Sequence, residues 1–140
     1  RARGLDGLAH EIALSHLDHV ARVFQDTGTV WENYAPESPR PGIPARPDFV
    51  GWSGLPGIAV LLEEVFGLQP DAPNQTLVWD VRLLDEHGVK NYPFGGQGVL
   101  DLRCAARQTA REKPLIEVRT HHPLRLVVRW GGGESVLDIR

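Results

Sequence analysis

The 140-residue chain has little of several residue types, and each shortage excludes a class of protein. It has one cysteine, Cys104, which cannot form an internal disulfide; its place in an apolar alternation predicts a buried small side chain rather than a nucleophile. It has no apolar run long enough to cross a bilayer, so no membrane role is indicated. It also has no methionine and begins at Arg1, which fits a segment cut from a larger polypeptide.

Neither positive nor negative charge is in large excess. The net charge is −3 and the basic residues are dispersed along the chain, so we expect no nucleic-acid partner. The sequence contains no P-loop and no Ser-centred nucleophile elbow, and we expect no cofactor and no resident metal. No signal peptide is visible, which favours a cytoplasmic location, although a missing N-terminus would have removed one. Hydrophobic content of 41% indicates a folded protein.

Residues 5–26 carry apolar side chains at steps of three and four, which predicts one amphipathic helix that ends near Gly28. A second helix is predicted over 56–66, where Pro56 suits a first helical turn. His16 and His19 lie three residues apart on the first helix. They could share a metal ion, but a solvated polar helix face is the simpler interpretation.

Two aromatic-rich segments carry the functional information. The first is Gly-Thr-Val-Trp-Glu-Asn-Tyr at 28–34, and the second is Asp-Phe-Val-Gly-Trp-Ser-Gly-Leu at 48–55. Aromatic faces pack against the C–H faces of a pyranose, and a carboxylate beside the ring can deprotonate a water. Glu32 between Trp31 and Tyr34 therefore fits a sugar-processing site; the plainer alternative is a helix-to-loop junction with core aromatics and a solvated Glu.

Together, the two segments resemble the C-terminal part of glycoside hydrolases built on an (α/α)6 toroid. The similarity is greatest to glycoside hydrolase family 63, which includes processing α-glucosidase I and its bacterial homologues, with mannosylglycerate hydrolase and trehalase more distant. In those enzymes a Glu-(Asn/Gln/Lys)-Tyr triplet precedes a Phe-x-Gly-Trp-(Ser/Thr) element. Both elements occur here in that order.

The resemblance implies an inverting hydrolysis of an α-glycosidic bond, in which one carboxylic acid protonates the leaving oxygen and a second carboxylate activates water. Glu32 matches the general base of the family. The general acid, an Asp, lies in a part of the toroid upstream of this chain, and Asp48 does not match its position. We therefore expect an α-glycoside as ligand, an upstream toroid segment or another copy of the chain as partner, and no autonomous hydrolysis.

Five prolines between residues 35 and 48 prevent a helix and weaken strand pairing, so this segment is predicted to be an ordered loop or a mobile lid beside the sugar. Arg46 and Asp48 are candidate partners of sugar hydroxyl groups, with Trp52 as a binding floor. Arg46 and Asp48 could equally pair with each other or with solvent. The candidate site thus comprises Glu32 as the catalytic residue and five substrate-binding residues, Trp31, Tyr34, Arg46, Asp48 and Trp52.

From residue 76 onward, alternation of period two predicts strands, with a hairpin turn at the glycines 131–133. Residues 85–89 and 91–96 look like turns, and a metal cluster at 85–87 is a weaker alternative. The predicted fold is α+β: a two-helix remnant of an (α/α)6 toroid over 1–70, a linker at 71–75, and an antiparallel sheet or small sandwich over 76–140.

Two further functions stay open from the sequence. A noncatalytic carbohydrate-binding remnant would keep Trp31, Tyr34 and Trp52 without an acid. A structural or interaction domain would pair its helix faces with another copy of the chain, because helices built to face absent neighbours expose apolar stripes. Hydrolysis separates the first function from the second, and a stable assembly with neither hydrolysis nor sugar binding would indicate the third.

Overall fold

The computed structural model describes residues 4–96 and 98–140 and confirms an α+β fold. The chain divides into two compact units, one ending at Val65 and one running from Phe66 to Arg140. This boundary precedes the linker expected at 71–75, which belongs to the second unit as the end of a strand and a 3-10 turn at Ala72–Asn74. No helix in the described residues is long and apolar enough to span a membrane.

The first unit begins with helix α1, Asp6–Thr27, which lies within one residue of the predicted bounds. Gly28 ends it in the left-handed conformation, with φ of 75° and its N–H bonded to the Phe24 carbonyl at 2.7 Å. A glycine adopts this conformation without a Cβ penalty, which is why it stops the helix. The second helical segment consists of α2, Gly54–Ala59, and π-helical turns over Val60–Val65 that contact α1.

Much of the apolar surface of this unit stays open. Only Ala13 and Val23 of α1 are buried. Three apolar side chains near the start of α1 and three along the second helical segment are between 39% and 70% exposed: Leu5, Leu8, Ile12, Leu55, Ile58 and Leu61. Spacings of three and four residues place each set on one helix face. Apolar stripes of this kind are typical of helices that pack against further helices.

We therefore expect the isolated chain to self-associate, with a sedimentation coefficient that rises with concentration. The double substitution Leu55→Gln and Ile58→Gln should shift the distribution toward monomer, because it removes apolar area without disturbing buried contacts. Leu115→Gln, at a site 69% exposed in the second unit, is the matched control. A single monomeric species of the unmodified chain at all concentrations would contradict the expectation.

The second unit consists of seven strands in two sheets: β1 Leu68–Asp71, β2 Thr76–Asp80, β3 His87–Phe94, β4 Gly98–Cys104, β5 Ile116–Thr120, β6 Leu124–Trp130 and β7 Gly133–Ile139. One sheet has the order β1-β2-β6-β7 and the other has the order β3-β4-β5. All pairs are antiparallel except β2 with β6, which run parallel. The three-stranded sheet lies in the connection between β2 and β6, and a parallel pair requires such a long crossover.

Alternating burial in both sheets produces the core of this unit. Leu77, Trp79 and Val81 are buried as predicted, and so are the inward residues of β4 and β6. The Trp79 indole meets the His87 ring edge-on, with ring centroids 5.8 Å apart, so the two sheets touch there. The sequence predicted an antiparallel sheet or a small sandwich, and the unit forms two sheets, one of them mixed because β2 and β6 run parallel. The predicted hairpin is also present, since Trp130 pairs with Gly133 across a two-residue turn.

The segments interpreted as turns at 85–89 and 91–96 form β3 for most of their length, so that prediction was wrong. The strand contains Gly88, Asn91 and Pro93, which read as turn residues. A bulge between Val89 and Tyr92 accommodates Asn91, while Gly88 and Pro93 pair with Arg103 and Val99 of β4. Asn91 has φ of +54° there, and its N–H donates to the Asp101 carboxylate at 2.8 Å.

Arg103 on β4 lies between two carboxylates, donating to Glu86 and Glu117 at 2.8 Å each. The hydrogen bond from Arg103, and then its charge, lowers the pKa of Glu86. A lowered carboxyl pKa contributes stability above the unfolded-state value, and this stability is lost as the pH falls through the folded-state value. Because all three side chains are exposed, the contribution is small.

We expect Arg103→Gln to return the pKa of Glu86 toward its ordinary value, because the guanidinium bond and charge that lower it are gone. The measurement is a carbon-detected NMR titration of the Glu86 carboxyl group. Arg125→Gln, an exposed arginine on β6, should leave that titration unchanged. An identical Glu86 titration in the Arg103 variant would show that another group sets the pKa.

Candidate active site

The two aromatic motifs lie on a loop that folds back on itself. Residues 28–35 run outward from the end of α1, and residues 40–49 return beside them. The backbone N–H groups of Phe49 and Gly42 donate to the carbonyls of Val30 and Asn33, both at 3.0 Å. These bonds tie the Pro-rich segment to the first motif, so it is an ordered loop with few strand contacts.

Two hydrogen bonds hold the backbone of Glu32, one to the returning segment and one to Trp52 beyond it. Its N–H donates to the Arg46 carbonyl at 2.9 Å, and its own carbonyl accepts the Trp52 indole N–H at 3.0 Å. The Glu32 residue is half-buried. The first motif therefore meets the second at the residue predicted to be the base, although 20 positions separate Glu32 from Trp52.

Trp52 presents a large ring surface to solvent. It is 65% exposed, and one side of it packs against Phe49, with ring centroids 4.6 Å apart and planes tilted by 57°. A Cβ on Gly51 would meet the Phe49 ring at 2.5 Å, so any larger residue there would displace Phe49 from Trp52. With its N–H engaged by Glu32, the indole can offer a ligand its face rather than a hydrogen bond.

The polar groups of Trp31 and Tyr34 are bonded within the protein. The Trp31 indole N–H donates to the Thr27 hydroxyl at 2.9 Å, and the Trp31 backbone N–H donates to the Tyr34 hydroxyl at 3.3 Å. Both residues are half-buried at the junction of α1 and the loop. The bond from Trp31 to Thr27 was not predicted, because a threonine at a helix end gives no indication of its partner in the fold.

Asp48 is engaged by a residue that the sequence reading did not select. The Thr29 hydroxyl lies 2.6 Å from Asp48 Oδ1, and the Asp48 backbone N–H donates to the same hydroxyl oxygen at 3.1 Å. These bonds hold Asp48 with φ of +54°, an uncommon value for a residue other than glycine. Asp48 therefore fixes the start of the second motif, and its bonded oxygen is not free for a sugar hydroxyl.

Arg46 contributes its backbone carbonyl to Glu32, and its side chain is exposed. Arg46 and Asp48 do not form an ion pair with each other, although both lie in the described part of the chain. The guanidinium is positioned on the loop that holds Glu32, where it can donate to hydroxyl groups. Two hydrogen bonds to the Glu32 backbone thus bring Glu32, Arg46 and Trp52 together, one from its N–H to the Arg46 carbonyl and one from the Trp52 indole N–H to its carbonyl. Trp31 and Tyr34 lie on either side of Glu32 in the sequence.

The other groups considered from sequence are Cys104 and the cluster at 85–87. Cys104 is fully buried, as predicted, and burial raises the pKa of its thiol. At 85–87, Glu86 pairs with Arg103, while the His87 ring lies against Phe66 and Trp79. Within residues 4–96 and 98–140, no three His, Cys, Asp or Glu side chains converge as a metal site.

No family model, no curated protein and no solved structure matches this chain.

Proposed function

We propose that this chain is the C-terminal, general-base-bearing portion of an inverting α-glycosidase that hydrolyses an α-glucoside or a related small glycoside. Hydrolysis requires an upstream toroid segment, on the same polypeptide or on another, that supplies the general acid. The observation that carries the proposal is the meeting of the two motifs at Glu32, whose carbonyl accepts the Trp52 indole N–H at 3.0 Å.

The chemistry assigned to this arrangement follows from the residue types. A carboxylate near an exposed indole face can activate a water while the apolar face of a pyranose rests on the ring. The bonds to Arg46 and Trp52 fix the backbone of Glu32, the point from which its carboxylate extends as the proposed general base. The Arg46 guanidinium, on the same loop, is the proposed donor to a sugar hydroxyl.

A noncatalytic carbohydrate-binding function is the second candidate. It is favoured by the 65% exposure of Trp52, which leaves the loop with an open aromatic floor, together with the engagement of Asp48 Oδ1 by the Thr29 hydroxyl. In that case the stacking surface would bind sugar and Glu32 would only shape its edge.

The test is a proton NMR time course with methyl α-glucoside, trehalose and mannosylglycerate. The isolated chain should bind a sugar in a Trp52-dependent way without turnover, since removing the indole face removes the stacking contact. The polypeptide that joins the chain to the upstream helices should release the β-anomer first, because inversion changes the anomeric configuration. Initial release of the α-anomer would overturn the proposed mechanism. Sugar binding without turnover by the joined polypeptide would favour the second candidate.

A further inference from the structure

In the part of the chain that the structure describes, the two sheets of the second unit end in four edge strands, β1, β7, β3 and β5. An edge strand presents unpaired N–H and C=O groups, and proteins commonly block it with a proline, a bulge or charged side chains. β1 contains Pro70, and β3 contains Pro93 together with its bulge. These two edges are therefore poorly suited to pairing with a further strand.

β7 and β5 are regular strands, but their charges differ when each is paired antiparallel with a second copy of itself. Pairing β7 over its full length centres on Val136 and places Glu134 opposite Asp138. Pairing β5 over its full length centres on Val118 and places Glu117 opposite Arg119. Like charges directly opposite each other destabilise a sheet, whereas opposite charges stabilise it. Of these two regular edges, β5 is therefore the one that is complementary to itself.

The backbone of β5 has its hydrogen-bonding groups in the right places for such pairing. The Ala105 N–H donates to the Leu115 carbonyl at 3.1 Å, just before the first residue of β5. In an antiparallel ladder, successive residues alternate between bonding the partner strand and facing away from it. Counting from Leu115, the N–H and C=O groups of Ile116, Val118 and Thr120 therefore face away from β4. They can bond a further strand without disturbing the existing sheet.

The charged side chains of β4 and β5 lie on one face of the three-stranded sheet, where they line a shallow cleft. The register places Arg103 opposite Glu117 and Asp101 opposite Arg119. The first two form an ion pair at 2.8 Å. Arg119 is exposed and forms no ion pair with any described residue of the chain. Its guanidinium, on the edge strand, is therefore open to a carboxylate from outside.

We propose that two copies of this chain pair antiparallel through β5 and join their three-stranded sheets into one continuous sheet. Val118 lies opposite Val118 of the second copy, and each Glu117 lies opposite Arg119 of the other copy. Charges then alternate along the row that crosses the joint: Asp101, Arg119, and next Glu117 and Arg103 of the second copy.

Charge also selects this register. Moving the centre of the pairing by one residue would place Glu117 opposite Glu117, or Arg119 opposite Arg119, and either arrangement is repulsive. The resulting contact is symmetric, as in most dimers of identical chains, and adds a strand to an open sheet edge. It uses residues of the second unit alone, so it is independent of the apolar helix faces of the first unit.

The test is sedimentation of the chain that carries Leu55→Gln and Ile58→Gln, in which association through the helix faces is suppressed. This parent chain should form a dimer as its concentration rises. Hydrogen exchange of the Val118 amide should slow as the dimer forms, because that N–H faces the open edge in a single chain. Adding Arg119→Glu should weaken the dimer by at least about tenfold, since carboxylates then oppose each other at both symmetry-related pairs. Adding Glu117→Arg instead should weaken it as much, with guanidinium groups opposed.

An equimolar mixture of the two charge variants guards against misfolding. In the mixed pair every carboxylate again lies opposite a guanidinium, so the mixture should dimerise about as tightly as the parent chain. Arg111→Glu, the same reversal at an exposed site outside β5, should leave the dimer unchanged.

Three results would overturn the inference. A dimer that neither reversal weakens, or that Arg111→Glu weakens equally, would place the contact elsewhere or assign it to net charge. A mixture that stays monomeric would exclude the pairing of Glu117 with Arg119. A parent chain that is monomeric at all concentrations, or Val118 exchange that does not depend on concentration, would exclude pairing through β5 whatever the variants do.

Discussion

Replacing Glu32 with glutamine is expected to lower kcat by about 10²- to 10⁴-fold in a polypeptide that joins this chain to the proposed upstream toroid segment. The amide is nearly isosteric with the carboxylate, but it cannot take a proton from water. The bonds that hold residue 32 come from its backbone, through the Arg46 carbonyl and the Trp52 indole, so the loop geometry should survive the change. The measurement is the rate of β-anomer release at saturating substrate.

Glu37 provides the matched control for this experiment. It is an exposed glutamate on the same loop, so Glu37→Gln makes the same chemical change away from the Trp52 contact and should leave kcat within about twofold. KM should change little in the Glu32 variant, because sugar binding is assigned to the aromatic faces. Full activity of the Glu32 variant would remove this residue from the mechanism. Equal losses in both variants would point to a disturbed loop rather than to a missing base.

Helix α1 and the last hairpin could be predicted from sequence because their signals are local. The apolar periodicity of α1 ends at Gly28, and the observed helix ends at Thr27. In β6, Leu124, Leu126 and Val128 are buried while Arg125 and Arg129 are exposed, as alternation predicts. The position of each of these elements in the sequence is therefore indicated by its own residues.

The elements that sequence missed depend on partners distant in the chain. Leu68–Asp71 contains Pro70 and spans the predicted boundary between the helical segment, 1–70, and the linker, 71–75, but it forms an edge strand beside β2, where a proline is tolerated. Gly67 before it has φ of +77°, and a Cβ there would meet the Asp80 carbonyl oxygen at the end of β2. The pairing of β2 with β6 is likewise invisible to local pattern, because more than 40 residues separate the two strands.

The candidate site shows the same division between local and distant information. The motifs identified Glu32 and Trp52 as residues of interest, and the structure joins them by one hydrogen bond. The clamp between Thr29 and Asp48 was not foreseen, because a threonine 19 residues away from an aspartate gives no signal of contact. Asp48 was therefore predicted to bond a sugar hydroxyl, whereas its Oδ1 atom accepts the Thr29 hydroxyl.

Arg107 was also missed, since one arginine in a polar stretch reads as a surface charge. Instead it is only 6% exposed, and its guanidinium donates to four backbone carbonyls: Val81, Leu83, Ala110 and Glu112. Its backbone N–H also donates to the Leu84 carbonyl at 2.7 Å. One side chain therefore joins the segment after β2 to the loop before β5, within the second unit.

We expect Arg107→Met to lower the free energy of unfolding of the second unit by about 3 kcal/mol, taking about 1 kcal/mol for each of the three carbonyls left without a donor, since the Ala110 carbonyl keeps the Gly131 N–H. Methionine retains much of the apolar stem, so the loss reports the hydrogen bonds more than the packing. The change is a large part of the stability of a small domain. Urea denaturation followed by tryptophan fluorescence measures this loss of stability.

Arg111→Met is the control, because Arg111 lies in the same loop with an exposed side chain and should change the free energy of unfolding by less than about 0.5 kcal/mol. Arg107→Lys keeps the charge but offers a single ammonium in place of a fork, so it should restore only part of the loss. The four carbonyls are on two chain segments that a single ammonium cannot bridge as a guanidinium does. If the Met and Lys variants were equally stable, the loss would come from packing and not from the positive charge. An unchanged urea midpoint in Arg107→Met would show that water replaces the guanidinium at no cost in free energy.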